Sequence, residues 1–445
     1  MNDQANTGHL GLYSGMGLVI ANMIGTGVLI SAGFLVQDLS ASMVLLAWIA
    51  GLGLALCGAL AYGGLARSVA RSGGEFRFLA DVIHPILGCA AGWGSLLIGF
   101  SAPIAINAIA IGQFGATMNL PITPQTLAVS SILTLVIMHA VQMRVSRDGQ
   151  NLLVGLKILL VVGLVLIAMS QPSSWVWPTW VPPGAESGSQ VNKFIEAQYW
   201  IAFAFSGWNA ASYCTEEFRN PKRDVMRSMF LGCLVVGLLY LAVNWVFVAN
   251  LTPADSTVVF NYDSGDEKLT LAHVLMTKMM GSGAGTIVSV LIMIALFSSM
   301  SAMMFVGPRV YAEMAKDGFL PHQFYGKEGK PPTFSIGLQA LLALLLVYTQ
   351  SLLTIVNACA AILMLFTGLC CLANLLLPIL RKDLEPPSLI SRIAAGIYLV
   401  VTSWFLYTGI SMMDEKDNLL ILGGAIVVLA VLTYAMQQVR QRRAA

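Results

Sequence analysis

The sequence predicts an all-α integral membrane protein of twelve transmembrane helices, ten of them in a 5+5 inverted repeat with helices 1 and 6 broken, plus two C-terminal helices. Three observations carry that reading. Hydrophobic residues make up 57% of the 445 and charged ones 10%, against roughly a quarter charged in a soluble domain, and mean hydropathy is +0.77. Apolar stretches of the roughly 20 residues that a helix needs to cross hydrocarbon recur along the chain. Two of these stretches carry short polar interruptions, Gly25-Thr26-Gly27 in the first and Ser206-Gly207 in the sixth.

In order, the crossings fall near 11–35, 42–66, 87–114, 125–143, 151–170, 193–214, 226–250, 284–311, 333–350, 352–378, 389–411 and 418–437. No Lys, Arg or cleavage-site pattern precedes the first, which is therefore expected to be a retained span and not a signal peptide. Basic residues orient the bundle, because Lys and Arg accumulate in cytoplasmic loops. All but five of the 24 lie on the side of Arg67, Arg71, Arg77 and the C-terminal Arg440, Arg442 and Arg443. Lys193, Lys268, Lys278 and Lys416 lie opposite, and Lys157 sits inside a span. Both termini are thus expected in the cytoplasm, with the cytoplasmic membrane as the location. The loops at 171–192 and 251–282 become external, and Trp175, Trp177 and Trp180 in the first of them fit an interfacial aromatic belt.

Spans 1 to 5 are an odd number, so a second set starting at span 6 runs through the bilayer inverted. The two breaks then occupy matching places. The expected core is 1–382, with repeats at about 11–170 and 193–378, and 383–445 adds helices 11 and 12 with a basic tail. No residue-level repeat accompanies this symmetry, which rests on topology and on the breaks.

Several functional classes are disfavoured. The net charge of +2 comes from scattered basic residues with no stripe for nucleic acid. The seven cysteines (57, 89, 214, 233, 359, 370 and 371) lie almost all in apolar runs without CxxC or His spacing, so they read as packing residues, with no metal or disulfide framework. No cofactor is expected. A membrane enzyme is the weak alternative, since nucleophile elbow, phosphate loop and metal cluster are all missing from the sequence. Rings of charge or carbonyls that mark channel filters are missing too.

The breaks themselves carry chemistry. Gly permits backbone angles that unwind a helix, which leaves N–H and C=O groups without intrahelical partners. At bilayer depth such groups are tolerated only against protein or a watery cavity, and paired broken helices point to a midplane substrate site. Donors freed at Gly25, Thr26 and Gly27, at the positive end of the outer half-helix, suit a carboxylate. Carbonyls freed near Phe203 to Ser206 suit an ammonium. The alternative is that Gly25 and Gly27 form a close-packing surface between helices. Asn22 and Asn209 flank the breaks, where each amide either meets substrate or braces unwound backbone.

Ile24-Gly25-Thr26-Gly27-Val28, Arg71-Ser72-Gly73-Gly74-Glu75, Phe203-Ala204-Phe205-Ser206-Gly207-Trp208-Asn209, Glu216-Glu217-Phe218-Arg219-Asn220-Pro221-Lys222-Arg223 and Lys316-Asp317-Gly318-Phe319-Leu320-Pro321 follow one another along most of the chain. In order and spacing they resemble the amino acid, polyamine and organocation transporter superfamily, and the sixth-span stretch is especially similar to L-type amino-acid transporters and their bacterial relatives. The resemblance implies a leucine-transporter-type fold. It also implies that Gly25, Thr26, Gly27, Phe203, Ala204, Phe205 and Ser206 contact substrate, with Phe203 as an aromatic gate; Asn22, Ile24, Trp208 and Asn209, flanking them, complete the expected substrate-binding set.

Lys157, the basic residue inside span 5, costs about 2.5 to 3.5 kcal/mol there on insertion scales. Snorkelling toward the end at Arg147 is one explanation. The resemblance implies another, in which the lysine takes the place of a coupling cation between spans 1 and 8 and Ser298, Ser299 and Ser301 supply hydroxyls. Sodium coupling is then disfavoured, with exchange and proton coupling both open. His139 reads as a satisfied buried histidine. Glu216 and Glu217, next to Arg219, Lys222 and Arg223, read as a charge network bracing a cytoplasmic gate.

The expected function is an amino-acid permease for small zwitterionic, neutral substrates, because no Asp or Glu falls at membrane depth in spans 1, 3, 6, 8 or 10 to pair a cationic side chain. A cationic amino-acid or polyamine exchanger of the same fold is the alternative. Eukaryotic L-type relatives join a single-span glycoprotein through a cysteine between spans 3 and 4. The loop Gln113 to Gln125 has none, so no disulfide-linked accessory subunit is expected.

Overall fold

The computed structural model describes residues 10–118, 120–141, 143–182, 190–252, 254–255, 271–326, 332–412 and 416–444. Of the residues used for orientation, Lys268, Lys327 and Lys330 lie outside the described residues. Sixteen α-helices are described. The expected first crossing is two of them, α1 (Leu12–Met23) and α2 (Thr26–Asp38), and α3 (Ala41–Val69) follows. A short α4 (Glu75–Val82) precedes α5 (Pro85–Gly94), a π-helical turn (Ser95–Phe100) and α6 (Ser101–Thr117). Next come α7 (Pro124–Val141), α8 (Met143–Met169) and α9 (Gln190–Ala204). A 3₁₀ segment (Ala210–Glu217) leads into α10 (Pro221–Asn250). The remainder are α11 (Leu271–Met280), α12 (Ser282–Lys316), α13 (Thr333–Thr349), α14 (Leu352–Leu380), α15 (Leu389–Met412) and α16 (Lys416–Ala444).

Seven helical stretches are long and apolar enough to cross a bilayer on their own, and four shorter apolar helices, among them Leu12–Met23 and Thr333–Thr349, accompany them. Apolar side chains fill the space between helices and also cover their outer faces. Trp48, Tyr62, Tyr240 and Phe247 are wholly buried, whereas Leu420, Ile421 and Val400 on α15 and α16 are more than half exposed. That distribution is what a lipid solvent requires, since hydrocarbon is as good a neighbour for leucine as protein is.

Helix α10 packs along both α3 and α1, and α9 lies against α2, α3 and α14. Helix α12 packs on α6, α8 and α1. The two interrupted stretches, α1 with α2 and α9 with the 3₁₀ segment, are therefore held among neighbouring helices. Three elements go beyond the sequence reading. Helix α4 is strongly amphipathic yet buries Phe76, Phe78 and Leu79, so it folds back under the bundle and is no loop. Helix α11 lies within the expected external loop 251–282. The π turn inserts an extra residue into the third crossing, with the Ser101 hydroxyl donating to Leu96 O at 2.6 Å.

The basic end of the bundle is closed by a cluster of bonds. Leu10 N donates to Glu217 O and Arg219 N to Leu10 O, both at 2.9 Å, a parallel bridge between the entry to α1 and the exit of the 3₁₀ segment. Arg77, 1% exposed, pairs with Asp317 (2.5 Å), Glu313 (3.3 Å) and Asp81 (3.6 Å) and ties α4 to the end of α12. Arg309 pairs with Glu217 at 2.8 Å, and the Ser72 amide donates to Glu216 at 3.1 Å. Glu216 and Glu217 thus join a charge network at this end, which Lys222 and Arg223 extend to Glu385 and Asp224, each at 3.9 Å.

Candidate functional site

Helix α1 stops at Met23, and Ile24 and Gly25 adopt extended backbone before α2 starts at Thr26. The break is narrower than Gly25-Thr26-Gly27, because Thr26 and Gly27 already belong to the new helix. No side chain caps α2 at Gly25, so its first-turn N–H groups lack intrahelical acceptors and face the gap at the positive end of the dipole. Only the backbone of Thr26 is described. In the sixth crossing α9 ends at Ala204, and the chain turns through Gly207, whose φ of +96° few L side chains adopt. It resumes as a 3₁₀ segment and not as an α-helix.

The two breaks fit into each other. A Cβ on Gly27 would stand 2.2 Å from the Ala204 Cα, and one on Gly207 would stand 2.9 Å from the backbone carbonyl carbon and Cβ of Asn22. Each break thus packs its bare backbone against the other. The Tyr240 hydroxyl from α10 spans them, 2.6 Å from Met23 O and 3.2 Å from Ala204 O. Those two carbonyls close α1 and α9, the negative ends of the two half-helices that precede the breaks. Sequence reading missed Tyr240; the available signal was a phenol inside an apolar span, where a buried hydroxyl needs a partner.

Around this junction stand side chains from three further helices. Ser299 on α12 places Oγ 2.7 Å from where a Gly25 Cβ would be, and Asn107 on α6 places Oδ1 at 3.7 Å. The π turn sets the register that brings Asn107 to this face. Lys157, 1% exposed on α8, donates to Ala21 O at 3.0 Å. It therefore does not snorkel to water, and it fixes the last turn of α1. Ser298 Oγ is buried with no hydrogen-bond partner among the described residues, while Ser301 Oγ lies 2.9 Å from His139 Nε2.

Other expected contacts separate. Asn22 Nδ2 donates to its own helix at Leu18 O (2.8 Å). Phe203 and Ile24 are buried at the junction. Phe205 turns away to pack on Tyr240 (ring centroids 5.3 Å apart) and Trp48 (5.9 Å). Ser206, Trp208 and Asn209 line a small cavity shared with Met364 and Thr367 of α14 and Tyr398 of α15. Asn209 does not stop at that wall: Nδ2 donates to Glu75 Oε1 (2.5 Å) and to the Tyr213 hydroxyl (2.9 Å). A survey of carboxylates in the spans overlooks Glu75, because it starts the non-spanning α4, yet it is 4% exposed directly beneath the sixth-crossing break. Among the described residues no cluster of His, Cys, Asp or Glu suits a metal, and all seven cysteines are free thiols.

Comparison with known proteins agrees with this geometry. A family model described as amino acid permease matches residues 10–433. The large neutral amino acids transporter small subunit 2 of Rattus norvegicus is 23% identical over 413 residues, covering 89% of this chain and 75% of its own. The Asc-type amino acid transporter 1 of Mus musculus is 25% identical over 422 residues with the same coverage. The b(0,+)-type amino acid transporter 1 of Oryctolagus cuniculus is 24% identical over 396 residues, covering 85% of this chain and 77% of its own.

Proposed function

Since the chain belongs to the amino acid permease family, within the amino acid, polyamine and organocation superfamily, and is thus a membrane transporter of amino acids and no enzyme, we propose that it moves small zwitterionic, neutral L-amino acids across the cytoplasmic membrane by alternating access. The observation that carries this reading is the interlocked pair of breaks. The substrate carboxylate sits on the first-turn N–H groups of α2, and its ammonium sits on carbonyls at the end of α9. Poles of opposite sign a few ångströms apart select a zwitterion over a singly charged solute.

In this reading twelve crossings form two inverted five-helix repeats within 1–382, with both termini in the cytoplasm and 383–445 outside the repeat. Lys157 takes the place of a sodium ion, holding α1 through Ala21 O, so transport is by exchange or proton coupling. The bonds at the basic end form the cytoplasmic gate. A single polypeptide suffices, because the described part of the loop between α6 and α7 offers no cysteine for a covalent partner.

The test is uptake of radiolabelled L-alanine and L-leucine into proteoliposomes holding the purified chain, with and without internal amino acid and with an imposed pH gradient. Saturable uptake that external neutral amino acids compete supports the reading. Uptake confined to arginine or polyamines, or a strict need for a second protein, overturns the substrate class or the single-chain claim.

A further inference from the structure

From Glu75 we infer that this permease binds and carries a proton at a buried carboxyl between the cytoplasmic gate and the substrate site; the inference rests on the transport function proposed above. Glu75 opens α4 at the closed basic end, and its side chain points inward to the sixth crossing. Oε1 accepts from the Tyr62 hydroxyl of α3 (3.0 Å) and from Asn209 (2.5 Å). Oε2 is buried with no hydrogen-bond partner among the described residues. The groups facing it are neutral: Tyr62 from α3, Tyr213 from the 3₁₀ segment, Cys370 from α14 and Tyr398 from α15. The nearby cation, Arg77, is turned to Asp317, Glu313 and Asp81.

An ionised carboxylate without a cation is costly to bury, and the donors around this one are all neutral, the Tyr62 and Tyr213 hydroxyls and the Asn209 amide. A proton on Oε2 removes the charge. Desolvation accordingly pushes the Glu75 carboxyl above its ordinary range, with hydrogen bonds to it working in the other direction. The sign follows: with its pKa raised in the closed state, neutral Glu75 favours closure, and that contribution is lost as pH rises through the raised value. Opening the cytoplasmic end brings water to Glu75 and releases the proton there. Asn209 joins this event to the sixth-crossing break, because one amide both lines the small cavity beside it and bonds the carboxylate.

The experiment compares wild type with Glu75→Gln in proteoliposomes, using labelled L-alanine and an entrapped pH indicator. Gln keeps an acceptor for Asn209 and Tyr62 but cannot titrate. Wild type should accumulate alanine up to about tenfold per unit of inwardly directed pH gradient, the ratio that one coupled proton supports, and should acidify the lumen. Glu75→Gln should exchange alanine for alanine while losing both accumulation and acidification. If that variant fails to fold, Glu75→Asp replaces it and should shift the pH midpoint of uptake. Wild-type transport without lumenal acidification overturns the proton site while leaving the transport function intact; so does Glu75→Gln with undiminished proton movement, or Glu75→Asp with an unmoved midpoint. Absence of any alanine exchange by wild type counts against the transport function and, with it, this inference.

Discussion

Adding one methyl at Gly27 tests the interlock most directly. The new Cβ of Gly27→Ala would lie 2.2 Å from the Ala204 Cα and 2.7 Å from its Cβ. Carbon atoms settle at about 3.5 Å or more, so α2 and α9 must part by roughly 1.3 Å at the junction. Neither contact can be relieved by rotating a side chain, because one atom is backbone and the other is a Cβ. Overpacking of this kind costs about 1–3 kcal/mol, and hydrogen-bond donors displaced by an ångström no longer meet a carboxylate at 2.7–3.2 Å. If half or more of the strain falls on the bound state, affinity drops about tenfold, since 1.4 kcal/mol is one decade. Binding of labelled alanine to purified, monodisperse protein measures this, and Gly27→Leu should abolish binding in protein that still inserts. Gly17→Ala is the control, because nothing lies within 4 Å of its added Cβ. Wild-type affinity in Gly27→Ala would refute the interlock as the basis of the site.

Removing the Tyr240 hydroxyl in Tyr240→Phe leaves Met23 O and Ala204 O without it, and buried unsatisfied acceptors cost about 1–3 kcal/mol; transport should fall and the thermal unfolding midpoint in detergent should drop, and an unchanged midpoint would count against the bridging role. Lys157→Ala should alter the pH dependence and symmetry of transport more than substrate affinity, measured by uptake in both directions beside equilibrium binding; unchanged coupling would reduce Lys157 to a packing residue. Arg77→Ala leaves Glu313 to Lys316 (2.6 Å) and Asp317 to Arg71 (3.5 Å), so the closed basic end should lose only about 1.5–3 kcal/mol of charged hydrogen bonding, read as increased labelling of a cysteine placed behind α4. Amino-acid amides and esters should compete poorly with alanine, because they lack the carboxylate that α2 receives; equal competition would mean the poles are assigned the wrong way round.

The helices were legible because lipid makes the apolar run an almost sufficient signal. The break at Gly25 was legible too, because a second polar interruption in the sixth span matches it, whereas glycine alone serves equally as a packing residue between membrane helices. What the sequence concealed came from distance in the chain. Glu217 meets Arg309, 92 positions on, a partner that no local spacing announces. Tyr240 earns its place only once α10 crosses both breaks, and a tyrosine in an apolar run otherwise reads as packing. Glu75 was hidden by its element: α4 is too short to span, so its carboxylate was placed in a loop, whereas the hydrophobic face of Phe76, Phe78 and Leu79 draws it inward. Phe205 and Phe203 sit two positions apart, and on a helix that spacing sends them to different faces, so one motif supplies both a junction residue and a core residue.

The bridge of Leu10 to Glu217 and Arg219 is made of main-chain atoms alone. Two such hydrogen bonds contribute about 1–3 kcal/mol in total, so breaking them leaves an opened form populated on the order of one molecule in ten to one in a hundred. A fastener of that strength unlatches on thermal motion, without waiting for a particular side chain to ionise. It also tolerates sequence drift, since almost any residue offers the same N–H and C=O. Under the alternating access proposed above, the lasting restraint comes from the buried charges around Arg77, and the bridge acts as a register mark that returns α1 and the 3₁₀ segment to the same alignment at each closure.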